Sequence, residues 1–223
     1  HHSALMSALH GFDKREQRNR RLSRADITLH EAAHGYAARH FGDPTAWQAG
    51  RISLNPLRHI DPIGTLLLPL LLALFKSPIL FGWAKPVPVS IHRLRHPKRD
   101  MLWVAAAGPA VNLLMAVGWT ALLKLDTLIP YNMLSQPLAL MCQVGIIINL
   151  SLAMLNLFPL PPLDGGRIAV SLLPEPLASQ FAQLERWGFF ILIALLYLGA
   201  LDVTVWPLVD ALERFILSLF ALT

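Results

Sequence analysis

Three long runs without a single charged side chain constrain this chain more than any other feature: Met101 to Leu123, Pro137 to Phe158 and Trp187 to Leu201. About 20 apolar helical residues cross the hydrocarbon of a bilayer. Inside hydrocarbon every backbone N–H and C=O must find its partner within the protein, so the spanning form of such a run is a helix. The predicted fold class is therefore an all-α polytopic membrane protein, a helix bundle with a short extended or β segment and a re-entrant or partial span. Composition agrees, since 54% of the 223 residues are hydrophobic and only 15% are charged.

The sequence pI is 9.8, but the cations lie in loops between the apolar runs and form no basic face with interleaved aromatics, so no nucleic-acid partner is expected. Lys85, Arg93, Arg95, Lys98 and Arg99 precede the first run, whereas 126–136 holds no Lys or Arg. By the positive-inside rule the first segment is cytoplasmic and the second outside. The runs from Met101, Pro137 and Trp187 then go outward, inward and outward, the last reaching Trp206. The lone Cys142 allows no intrachain disulfide and reads as a packing residue. No internal repeat is apparent.

Three domains are expected: 1–26, a purification-tag remnant and a polar arm rich in Lys and Arg; 27–206, the membrane domain; and 207–223, an interfacial amphipathic helix with Leu212, Phe215, Ile216, Leu219 and Phe220 at helical spacing. Ile27 to Phe41 reads as a helix stopped by Gly42 and Asp43-Pro44. Trp47 to Ile63 reads as an extended hairpin or loop. Leu66 to Phe75, broken by Pro69, suits a partial span, and Lys85 to Val89 should be extended because its prolines disfavour helix.

His30-Glu31-Ala32-Ala33-His34 carries the chemistry. On a helix, positions i and i+4 share one face, so both imidazoles can reach one metal ion with Glu31 beside them as the base that activates the zinc-bound water. The bland alternative is a pair of hydrogen-bonded histidines in a helix interface. A catalytic zinc wants a third protein ligand, and Asp164 in Pro159-Leu160-Pro161-Pro162-Leu163-Asp164-Gly165-Gly166 offers it; otherwise Asp164 is an N-cap. Asn112, in Gly108-Pro109-Ala110-Val111-Asn112, either binds the substrate backbone or oxyanion, or is interhelical glue. Asn149 and Asn156 invite the same two readings, with glue the simpler one.

These motifs, HEAAH, GPAVN and PPLDGG in that order together with GWAKPVPV, resemble the site-2 protease family of intramembrane zinc metalloproteases over about Ile27 to Arg167. The resemblance implies one zinc held by His30, His34 and Asp164, Glu31 as base, and Asn112 as a substrate-binding residue. It also implies cleavage of transmembrane protein substrates within the lipid bilayer of a prokaryotic plasma membrane, with the site toward the cytoplasm, in a compact member without a PDZ-like insertion. The polar stretch Asp13 to Asp26 departs from the apolar run that usually leads into HExxH. A half-inserted helix with its arm held in the cytoplasm, or an altered N-terminus, would account for it.

Two readings of other classes compete. A non-catalytic membrane metal-binding scaffold could use the same ligands without needing Glu31. A transporter would need ionisable residues along several spans, and the runs from Met101 and Pro137 have none. Oligomeric state is not legible.

Overall fold

The computed structural model describes residues 25–53 and 86–222. Helix α1 covers 25–40 and stops at Gly42, whose φ of 108° is open to glycine. The short α2 (Thr45–Gln48) follows. Thus Trp47 and Gln48 are helical and not part of a hairpin, because Pro44 pre-sets the φ of a helical first turn. Residues 49–53 are a turn followed by irregular chain with no strand, while 54–63 and the partial span at 66–75 lie outside the described residues.

Residues 86–90 carry no helix, as their prolines require. Beyond a single 3₁₀ turn (Ile91–Arg93), α3 runs unbroken over Pro97–Thr127 and α4 over Ser135–Asn156. Both are long and apolar enough to cross a membrane, and only 33% of each apolar window is buried within the molecule. Most of each surface is therefore left for lipid, with Trp103, Leu114, Val117 and Ile147 outward. Pro109 does not break α3: it is buried, and a spanning helix surrounded by other helices tolerates the missing N–H.

The chain turns back through 157–163 into α5 (Asp164–Leu172), then α6 (Leu177–Ala182), α7 (Glu185–Tyr197) and α8 (Ala200–Leu219). The expected single span from Trp187 to Trp206 is instead two helices bent by 81°, either a broken span or a re-entrant loop. The bend falls at Gly199, whose φ is 69°. The C-terminal helix accordingly begins at Ala200 and not after Trp206, and Pro207 lies inside it.

α3 packs along α4 and against α5, while α4 packs on α8. Ala116, Ile146, Leu150, Leu192, Val205 and Val209 form the shared apolar core. Polar side chains in the spans mostly bond their own helix: Thr120 to the Ala116 carbonyl and Asn149 to that of Gly145, both at 2.9 Å.

Candidate metal centre

α1 presents His30 and His34 on one face, as their spacing requires. Their Nε2 atoms lie 3.1 Å apart. Asp164 Oδ2 lies 3.1 Å from His30 Nε2 and 3.2 Å from His34 Nε2, and all three residues are buried. A tetrahedral zinc with ligands at about 2.0–2.2 Å would hold them about 3.3–3.6 Å apart, so the triangle is close to that of a coordination sphere. His34 Nδ1 is 2.7 Å from the Val104 carbonyl, which can only accept, so the proton sits on Nδ1 and the Nε2 lone pair faces Asp164. Asp164 Oδ2 makes no well-formed hydrogen bond despite both imidazoles. Three potential ligand atoms thus converge in a buried space, an arrangement a divalent cation satisfies.

Glycine makes the convergence possible. A Cβ on Gly108 of α3 would lie 2.4 Å from His34 Nε2 and 2.6 Å from His30 Nε2. One on Gly165 would lie 2.2 Å from the Leu157 carbonyl oxygen, and one on Gly166 2.2 Å from Pro161 N. The first turn of α5 therefore presses on the 157–161 turn, and Asp164 reaches the histidines. Asp164 is not an N-cap: it is the first helical residue, Leu163 precedes it in extended geometry, and no side chain caps the helix.

Glu31 is half-buried beside the pair, and its Oε2 accepts the Val87 N–H at 2.8 Å. The Ser90 N–H donates to Asp43 Oδ2 at 2.6 Å. Two carboxylates of the α1 region thus peg the 86–90 segment beside the histidines.

The family model described as "Peptidase family M50" matches residues 128–198, a stretch that includes Asp164. Over 198 residues the chain is 39% identical to "Putative zinc metalloprotease YwhC" of Bacillus subtilis, covering 87% of each. Under the same description, Rip2 of Mycolicibacterium smegmatis is 30% identical over 184 residues, 82% of this chain and 68% of the relative. The chain belongs to peptidase family M50. No solved structure matches it. This M50 peptidase is a metalloprotease, and its apolar helices make it an integral membrane protein.

A cavity of about 100 Å³ opens onto the M50 site, with Glu31, Val87, Asn156 and Arg167 in its walls beside His30, His34 and Asp164. Asn112 is not in those walls. It lies one turn beyond Gly108, fully buried, with neither amide atom hydrogen-bonded. Arg167 is the wall residue that sequence reading did not consider, and Asn156 is one that it weighed and read more simply as interhelical glue. Asn156 ends α4 and donates to the Leu152 carbonyl at 2.9 Å, as a helix-satisfied asparagine would. Its position, at the end of a span that turns straight into the Asp164 motif, was the available signal. Arg167 is one turn after Asp164 on α5 and so shares its face.

Proposed function

We propose that this chain is an intramembrane zinc endopeptidase in which His30, His34 and Asp164 hold one zinc ion, Glu31 is the general base, and the substrates are transmembrane segments of other proteins. The carrying observation is the buried triangle of Nε2, Nε2 and Oδ2 atoms 3.1–3.2 Å apart, with the Glu31 carboxylate at its edge. When bound, zinc would polarise the scissile carbonyl and acidify water.

Glu31 accepts the proton of the attacking water and returns it to the leaving amine. Its bond from the Val87 N–H fixes one carboxylate oxygen and leaves the other free to take that proton. His34 is held in its metal-binding tautomer by Val104. The Asn112 amide, unpartnered one turn from Gly108, is assigned to bond the substrate backbone as the helices admit it.

A substrate helix hides its carbonyls and must unwind before attack. An extended strand sets the N–H groups of alternate residues on one edge, so the Val89 N–H shares the edge on which Val87 meets Glu31. Val89 makes no hydrogen bond to described residues, and an unwound substrate could pair there by β-augmentation. The cation-rich segment entering α3, with Arg93, Arg95, Lys98 and Arg99, supports a site on the cytoplasmic side of a bacterial plasma membrane.

Metal analysis of the purified wild type beside His34→Ala and Asp164→Ala tests the ligands, with zinc expected in the first alone. Glu31→Gln should keep the metal and lose cleavage by about 10²–10⁴-fold. Full activity of Glu31→Gln would remove the assigned base, and zinc retained in Asp164→Ala would remove the third ligand.

A further inference from the structure

A second, larger cavity adjoins the metal centre and shares a side chain with it. Its volume is about 420 Å³, and Val89, Lys98, Met101, Arg167 and Ser171 are among its walls. Arg167 lines both cavities. The extended segment also runs from one to the other, with Val87 in the metal cavity and Val89 in the larger groove. A peptide strand lying along Val87 and Val89 would therefore leave the metal centre through this groove and pass the Arg167 guanidinium on its way.

Nothing in α5 itself explains Arg167. The residue lies near the helix N-terminus, where the backbone dipole disfavours a cation and favours the Asp164 carboxylate. Among the described residues no carboxylate pairs with it; the groove's other cation, Lys98, faces Glu175 at 3.9 Å. Glu185 stands in the same groove and forms no ion pair among the described residues. Arg167 is half-buried, so an ionic partner there would be less screened by water than one at an open surface. Its planar fork of donors matches a carboxylate in two parallel hydrogen bonds.

We propose that Arg167 is a specificity-determining residue, which pairs with an acidic side chain of the substrate within a few residues of the scissile bond, on the flank that leaves through the Val89 groove. This rests on the protease reading above, since without cleavage there is no flank to select.

The test is cleavage of a proteome-derived peptide library by full-length enzyme in detergent, with the residues around each cut read by mass spectrometry. Wild type should enrich Asp or Glu at one position close to the cut, by about fivefold or more. Arg167→Gln should flatten that position, and Arg167→Glu should turn the preference to Lys or Arg. A bulky Ser171→Trp, which narrows the same groove, should raise KM with little change in kcat. Zinc content and thermal midpoint of each variant report folding independently.

Identical profiles in wild type, Arg167→Gln and Arg167→Glu, each cutting and each holding zinc, would overturn the inference and leave the protease reading standing. A zinc-loaded wild type that cuts nothing, and that matches Glu31→Gln, would overturn the protease reading and the inference with it.

Discussion

His34 is constrained at both ring nitrogens, by the Val104 carbonyl at Nδ1 and by Asp164 at Nε2, and Gly108 is the residue that leaves room for this. A Gly108→Ala side chain meets the two imidazoles at under 3 Å, and neither ring can retreat without leaving its partner. Gly108→Ala should therefore keep its helical fold while zinc affinity falls by about 10–100-fold, the range found for groups that orient metal ligands. Competition against a chromogenic chelator measures it, and an unchanged affinity would show that the rings have freedom the geometry denies them. Asp43 gives a pH-dependent counterpart. Burial raises its pKa, but the Thr45 hydroxyl and the Ser90 and Thr45 amides outweigh this and hold it below its ordinary value of 3.8. A depressed carboxylate contributes stability that is complete above the unfolded pKa and is lost as pH falls through the folded one. Asp43→Asn should lower the thermal midpoint at neutral pH and flatten the loss of stability below about pH 4, which melting at stepped pH will show. At this scale the meeting of the candidates His30, His34 and Asp164, with Glu31 beside them, was readable because side-chain chemistry is written in residue type and spacing. The Val87 N–H on Glu31 and the Ser90 N–H on Asp43 were not, because every residue but proline carries an N–H and only the fold decides where it points.

The helices α3 and α4 were legible from hydropathy alone, and their ends fall within a few residues of the charge-free runs. The bend between α7 and α8 was not legible. The run from Trp187 was read as one span reaching Trp206, yet the chain turns at Gly199 and α8 runs on through Pro207. Hydropathy records how much a residue dislikes water and says nothing about φ. A side chain at φ near 69° costs about 1–2 kcal/mol, so Gly199→Ala should lower the melting temperature in detergent, and Gly118→Ala, with nothing within 4 Å of its added Cβ, is the matched control. Equal effects would mean that the bend does not depend on the glycine. The 86–90 segment makes a sharper element-scale prediction. Val89→Pro removes the one N–H on the site-facing edge that no described residue uses, while Val89→Ala removes only side-chain contact. If substrate pairs there, Val89→Pro should raise KM several-fold more than Val89→Ala at equal zinc content. Matching kinetics for the two would remove β-augmentation from the mechanism.

Taken as a whole, the molecule brings its candidate metal ligands together from separate elements: α1 supplies two imidazoles, α5 supplies the carboxylate, and α3 and α4 are the long apolar helices. A cation bound by all three ligands would tie α1 to α5, and anything that binds only the folded state stabilises it by mass action. At a free zinc concentration about a thousand times Kd this amounts to about 4 kcal/mol. Removing zinc with a strong chelator should therefore abolish cleavage and also lower the thermal midpoint, and returning zinc should restore both. The same chelation applied to Asp164→Ala should change the midpoint far less, because its site has lost the tie between α1 and α5. The spans themselves owe nothing to the metal, so circular dichroism should report unchanged helix content in the stripped protein below its new midpoint. If stripped and loaded wild type melt together, the ligands do not couple α1 to α5 through a common ion, and a metal centre built by the whole fold gives way to one held by α1 alone.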